Sequence, residues 1–381
     1  MDEAGRAYAD GLVQCLEGLE DPRVVPRCDH RLFDIVAITL LAVMCGAEDW
    51  PDVEQFGKSR KDFLRTFLEL PGGIPSHDTF RRVFGKLDRS QFAACLFTWT
   101  QALHEATGGK VIAIDGKALR RTFSKKGGLA MLHLVTAWAS ENHLTLGQVA
   151  CEEKSNEITA IPELLKLLSL KGATVTIDAM GCQKEIAAQI REQKGHYLLQ
   201  AKGNQPKLQE QLVDYFGECL ETDFAGVDHE RHETTQTGHG RTETRIVDAV
   251  SLPRDFAPRE DWKDLKTLVV VTSQRVVAEK ESWESRYYIT DHGPRAKFLG
   301  SAIRQHWGIE NGQHWILDVT FGEDSRRQQD RNGSANLAAA RRLAVSLLRQ
   351  EKTNKRGVKN KRLQCALDPR YLLKVLANAR F

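Results

Sequence analysis

The chain has 381 residues, enough for two or three domains, and its 41% apolar and 28% charged residues argue against extended disorder. A formal charge of +3, from 54 Lys and Arg against 51 Asp and Glu, assigns no partner, so any nucleic-acid argument rests on where the cations sit. Eight cysteines (Cys15, Cys28, Cys45, Cys95, Cys151, Cys182, Cys219, Cys365) without a C-x-x-C pair argue against a disulfide framework and a zinc ribbon, and fit a reducing cytoplasm. The N-terminus, MDEAGRAYADGL, lacks the regions of a signal peptide. The most apolar run, Leu32 to Cys45, is too short for about 30 Å of hydrocarbon, so no membrane span is expected.

Residues 1–107 read as a helical N-terminal domain. Asp29 is placed to cap a buried helix through LFDIVAITLLAVMC, and a second pattern covers Trp50 to Leu70. PGG at 71–73 breaks the chain before a short helix capped by Ser76 and carrying Arg81, Arg82 and Lys86, followed by a helix over Arg89 to Ala106. A short basic helix after a Gly-Pro turn suggests a helix-turn-helix-like DNA-binding unit; a solvated face on a helical bundle explains the same residues.

From Lys110 the pattern changes to strands over 111–115, 132–139 and 144–151, a helix around 161–169, a strand at 174–178, a helix at 184–192, a strand at 196–201 and a helix around 207–220. This order predicts an α/β fold of ribonuclease H-like type, a mixed sheet flanked by helices. Residues 222–292 break the rhythm and read as a β-rich insertion in a catalytic domain that spans 108–350. Helical periodicity returns over 295–317 and 334–350. The stretch 351–381 reads as a basic tail; KTNKRGVKNKR at 352–362 has six Lys or Arg and no acid, as in a solvated segment, with phosphate contact the alternative.

Asp115 in VIAIDGK and Asp178 in TVTIDAMG end strands in the same way, each after an apolar run and before a Gly-containing turn. Open sheets collect ligands beyond strand carboxyl ends, so the two could share a metal cluster, although a lone Asp there is commonly a turn residue. On the helix through IRQHWGIENGQHWIL, helical spacing puts Glu310 on a face with Ile303, Trp307, His314 and Leu317. A carboxylate in such a stripe needs a metal, a base or a salt bridge. Three carboxylates suit Mg²⁺ or Mn²⁺, and two such ions about 3.5 to 4 Å apart would clamp an in-line phosphoryl displacement.

IAIDGK, KSNEI, TIDAMG, LLQAKGNQ, HGRTETR and HWGIENGQHWILDVTFGED together resemble the successive motifs of insertion-sequence DDE transposases, close to the H-repeat-associated group of Rhs elements. The similarity covers roughly residues 20–350. It implies a ribonuclease H-like core, a β-rich insertion between the second and third acids, Mg²⁺-dependent cleavage and joining of double-stranded DNA at transposon ends and target, and a helical DNA-binding region. By motif, the catalytic and metal-holding acids are Asp115, Asp178 and Glu310. Bringing two ends together implies at least a homodimer on DNA, in a bacterial cytoplasm. The Tyr, Arg and Lys that the broader clan often places around its glutamate are here Ile303, His306 and Leu317.

Further DNA-contact candidates are the cations after Asp115 (Lys117, Arg120, Arg121, Lys125, Lys126), Lys202 and Asn204 at a strand end, Arg241 and Arg245 on one strand face with Glu243, and Arg304 and His306 ahead of Glu310. Each has a plain structural alternative: a hairpin tip, a turn or a cross-strand charge ladder. His314 reads as an interior histidine; Asp318, Glu323 and Asp324 are alternates for the third acid, with Asp318 off the Glu310 stripe by helical spacing, and groups supporting the metal ligands suit them better. His229, His232 and His239 near Cys219 match no strong zinc spacing.

Overall fold

The computed structural model describes residues 16, 18–107, 110–123, 130–151, 156–238, 240–278, 280–325 and 330–377. In chain order, α1 (Leu32–Met44), α2 (Trp50–Ser59), the single turn α3 (Lys61–Leu64), α4 (His77–Lys86) and α5 (Arg89–Thr107) precede strands β1 (Val111–Leu119), β2 (Leu132–Ala139) and β3 (Leu144–Ala150). Next come α6 (Glu157–Lys166), β4 (Thr174–Ile177), α7 (Lys184–Glu192), β5 (His196–Ala201) and α8 (Pro206–Glu221). Four long strands follow, β6 (His229–Gly238), β7 (Arg241–Ser251), β8 (Thr267–Val277) and β9 (Lys280–Thr290), and then α9 (Ala296–His306), a π-helical turn (Glu310–His314), α10 (Trp315–Phe321), α11 (Arg331–Gln350), α12 (Val358–Leu367) and α13 (Pro369–Ala377). The chain divides into two compact units: Met1–Gly109, Gly116–Asn156 and Ile309–Phe381 form the first, Lys110–Asp115 and Glu157–Gly308 the second.

In the first unit, α1 is buried from Asp34 to Met44, as its unbroken apolar run requires, and α11 is buried from Gly333 to Leu348. The helices of 32–107 share one apolar core with α10 to α13, in which Ile35, Phe84 and Phe97 join Leu317, Leu343 and Val375. Asn336 of α11 donates to the carbonyls of Phe84 and Leu87 at 2.8 and 3.1 Å, fixing the end of α4. Ser76 caps α4 through the Thr79 amide, as expected. Asp29 does not cap α1: the cap position is Arg31, which offers no side-chain bond, while Asp34 turns inward to accept the Leu70 amide at 3.0 Å. β2 and β3 form an antiparallel pair.

The basic C-terminal stretch differs from a solvated tail. Two of its six cations point inward: Lys361 donates to the carbonyls of Leu348 and Glu351, and Arg362 to those of Val43, Ala47 and Thr320. The Arg362 guanidinium also lies 4.1 Å from the Phe321 ring centroid. Unpaired helix-end carbonyls are costly to bury, and a planar five-donor group can satisfy three at once. Arg362→Ala is therefore expected to destabilise the chain by about 3 kcal/mol or more, read as a lowered denaturant midpoint, with Arg362→Lys recovering only part of it.

In the second unit the strand order is β1-β4-β5-β9-β8-β7-β6. β1, β4 and β5 are parallel, and β9 joins β5 antiparallel, so the β-rich segment continues the sheet as a meander. α9 packs on it through Leu299, Ala302 and Ile303 against Val111, Leu198, Val247 and Tyr288. Gly300 allows this close approach, because a Cβ there would come within 2.8 Å of Val247 Cγ2. Among the described residues no helix is long and apolar enough to cross a membrane.

Candidate active site

Asp115 and Asp178 occupy matching places on neighbouring parallel strands. The last paired residues of β1 and β4 are Ile114 and Ile177, and each aspartate is the next residue in its chain. Both are half-buried. The parallel register sets the two residues next to each other on neighbouring strands. Asp178 is also oriented: its Oδ1 accepts the amides of Met180 and Gly181 at 3.1 and 3.4 Å, and among the described residues Oδ2 takes no hydrogen bond. One oxygen thus fixes the side chain and the other remains for a ligand, which suits a hard divalent ion.

The loop after Asp178 is braced from the strand end that carries Lys202 and Asn204. Asn204 donates to the Ala179 carbonyl, and Gln205 to the Cys182 carbonyl at 2.9 Å. Asn204 thus has a structural partner, while Lys202 is exposed. Gly181, which sequence reading passed over, is tightly enclosed; an added Cβ would collide with Ile177 Cγ2. Its signal was the Gly in DAMG three residues after a strand-end Asp. Gly181→Ala is expected to displace this turn, cost about 1 to 3 kcal/mol, and lower activity more than the stability loss explains; thermal melts beside DNA-cleavage rates check it.

Glu310 does not lie in an apolar stripe. It is exposed, and it opens the π turn that runs to His314. The one-residue excess of a π turn resets the helical phase, so the 3.6-residue spacing from Ile303 to Leu317 fails at Glu310 while Ile303 and Leu317 themselves are buried. Such turns recur at functional positions. Glu310 belongs to the first unit and the two aspartates to the second. Among the described residues, no group of three His, Cys, Asp or Glu that could hold a metal ion is preassembled.

The candidate cations separate into buried and exposed. Lys117, expected to grip phosphate, is 9% exposed, with Nζ 2.6 Å from Asp318, 3.2 Å from Glu323 and 3.7 Å from Asp324. Three carboxylates commit it to the protein interior. Burial raises the Asp318 carboxyl despite its bond to Lys117. Glu323 is wholly enclosed; burial alone would raise its carboxyl, but Arg342, 2.8 Å away, and Lys117 hold it down at about 2. Arg120 and Arg121 are exposed, the former 3.5 Å from Asp324. Lys125 and Lys126 lie outside the described residues.

His306, also read as a phosphate donor, is buried, with Nδ1 3.1 Å from Thr176 Oγ1 on β4. Burial lowers its pKa against the opposing charge of Asp178, so it is a neutral packing group behind the strand that ends in Asp178. His314 is driven down to about 3 by burial and by Arg342 and Lys117. Arg304 is exposed and donates to Gln236 at 2.7 Å. Arg245 pairs with Glu243 at 2.6 Å, Glu243 stands opposite Arg275, and Arg241 is exposed: a charge ladder with one free end. Arg81 is exposed and 3.2 Å from Asp78, and Arg82 donates to the Asp78 carbonyl. His229 bonds Asp248 at 2.8 Å and stacks on Phe224, with no role as a metal ligand evident; His239 lies outside the described residues.

Asp115 within β1 and Asp178 directly after β4 thus stand beside each other in the parallel register of a mixed sheet that a meander extends. A family model described as "Transposase DDE domain" matches residues 106–347, and the chain belongs to the DDE transposases of the insertion-sequence kind. A second model, "DDE_Tnp_1-associated", matches residues 13–100. The chain is 41% identical to "Putative transposase YncI" of Escherichia coli O157:H7 over 96% of its own length and 94% of the relative's. It is 36% identical to "H repeat-associated putative transposase YhhI" of Escherichia coli K12 over 97% and 98%. A shorter relative, "Inactive transposase YbfQ" of the same strain, is 48% identical over 14% of this chain and 64% of its own.

Proposed function

We propose that the chain cuts and joins double-stranded DNA at the ends of its own insertion sequence, with Asp115, Asp178 and Glu310 holding two divalent metal ions, Mg²⁺ by preference and Mn²⁺ as a substitute. The observation that carries this reading is the matched placement of Asp115 and Asp178 beyond Ile114 and Ile177 within the family match. The parallel strands β1, β4 and β5, with helices between them, support a ribonuclease H-like core. Glu310 completes the set as an exposed carboxylate whose motif position matches the family's glutamate.

When bound, the ions would supply charge to polarise the scissile phosphate and to lower the pKa of the attacking oxygen. The protein's share is positional. Asp178 is held by two backbone amides, so little reorganisation accompanies ligand binding. Water attacks the phosphodiester and frees a 3′-hydroxyl; that hydroxyl then attacks a phosphate of target DNA. Both steps are in-line phosphoryl transfers, so one set of carboxylates serves both.

DNA contact falls to the exposed cations: Arg81 and Arg82 on α4, Arg120 and Arg121 after β1, Lys202, Arg241 and Arg304. Two ends require two copies, so a homodimer forms on DNA. Incubating the full chain with the DNA flanking its own gene in Mg²⁺ tests the reading: nicks at the element ends and joined products are expected. Folded protein that neither nicks nor joins this DNA overturns it. Pre-cleaved ends with a free 3′-hydroxyl, cut but never joined, would leave a nuclease instead.

A further inference from the structure

The charge run 352–362 splits into two sets with different directions. Lys361 and Arg362 serve the core, whereas Lys352, Lys355, Arg356 and Lys359 are exposed. The turn that displays them is built rather than loose. Glu351, fully enclosed, accepts the amides of Thr353 and Asn354 at 2.8 and 3.1 Å and the Tyr371 hydroxyl at 2.8 Å. Asn354 then accepts the Arg356 amide at 2.8 Å and donates to Gln364 at 2.7 Å. A segment rich in lysine would ordinarily lose much of its attraction for a ligand to ordering entropy; this one is ordered beforehand.

Between this turn and α12 and α13 lies an open groove of about 690 Å³. Its cations are Lys355 and Arg356 on the turn and Lys374 on α13, whose Nζ donates to Thr353 Oγ1 at 2.9 Å; among the described residues no acid lines it. Asn360 and Gln364 add uncharged donors along the floor. Three cations with amide donors and no counter-charge fit a chain of phosphates, and the exposed Lys352 and Lys359 extend the positive surface beyond the rim.

We propose that this C-terminal groove is a sequence-independent docking site for the phosphate backbone of double-stranded DNA. It rests on the reading of the chain as a DNA transposase. The groove lies in the part of the chain after the residues matched by the transposase domain model, 106–347, so it adds grip outside the carboxylate site.

The test uses the full chain and a generic duplex of unrelated sequence, with affinity measured across a salt series by fluorescence anisotropy. The variant is Lys355→Gln with Arg356→Gln and Lys374→Gln. A control, Lys166→Gln with Lys171→Gln and Lys263→Gln, removes the same charge at exposed positions elsewhere. The groove variant should bind about tenfold or more weakly at moderate salt, and its slope of log affinity against log salt should flatten by about 3, near one unit per lost phosphate contact. The control should stay within about twofold of wild type. All altered side chains are exposed, so thermal melts should coincide. Unchanged affinity and slope in the groove variant, as for a groove that serves an acidic protein, overturn the proposal; so does equal loss in the control. Wild type that binds no duplex at any salt sinks the transposase reading as well, which separates the two failures.

Discussion

Asp178→Asn is expected to yield a folded chain that no longer cuts or joins element-end DNA. Asparagine keeps an oxygen for the Met180 and Gly181 amides, so the turn persists, but a formal charge at the strand end is lost. Removing one ligand from a phosphoryl-transfer site forfeits several kcal/mol of transition-state stabilisation, so the rate should fall about a thousandfold or more. Asp115→Asn and Glu310→Gln should behave alike. A second readout is independent of turnover. Added Mg²⁺ or Mn²⁺ should raise the melting temperature of the wild-type chain and raise that of Asp178→Asn far less, because only a bound ion stabilises the folded state. A variant that cleaves within tenfold of wild type would remove Asp178 from the chemistry.

The largest stability loss is expected from Glu323→Gln. Glu323 and Arg342 are both wholly buried 2.8 Å apart, with Lys117 3.2 Å from the second oxygen. Neutralising the carboxylate strands a buried guanidinium, which costs about 3 to 5 kcal/mol, whereas replacing the pair together by apolar groups need not. The pH dependence has a definite sign. The Glu323 carboxyl is held at about 2 in the folded chain against an ordinary value of 4.5, so its stabilisation is fully present above about pH 4.5 and is lost as pH falls toward 2. Denaturant midpoints of wild type and Glu323→Gln should therefore converge over that window. A constant gap from pH 6 down to the acid limit would contradict the ion-pair account.

The helical run of 32–44, the cap at Ser76 and the strands at 132–139 and 196–201 were legible because period, capping chemistry and β-branched content agree locally. Strand-end placement was legible for Asp178, whereas β1 runs on from Asp115 to Leu119, because Gly116 and Lys117 continue the extended backbone where a turn was expected. Glu310 was not: a π turn is invisible to a periodicity that assumes 3.6 residues per turn, and the supposed apolar stripe dissolved when the phase reset. Lys117 and Arg120 look equivalent as exposed cations in sequence. Only the approach of Asp318, Glu323 and Asp324 from some 200 residues away buries one and leaves the other outside.

By itself, the sequence determined most of the order of elements and the family, because these follow from local propensity and from motifs read in series. The tertiary structure decided which charges are spent inside the molecule. Lys117 and Arg362 meet carboxylates or carbonyls brought from distant segments, and Arg342 and Lys361 meet theirs across a turn of the fold, while Lys202, Arg241 and Lys355 pair with no acid among the described residues and stay exposed. Burial of a charge depends on partners supplied by the fold, and a linear chain carries no record of that distance.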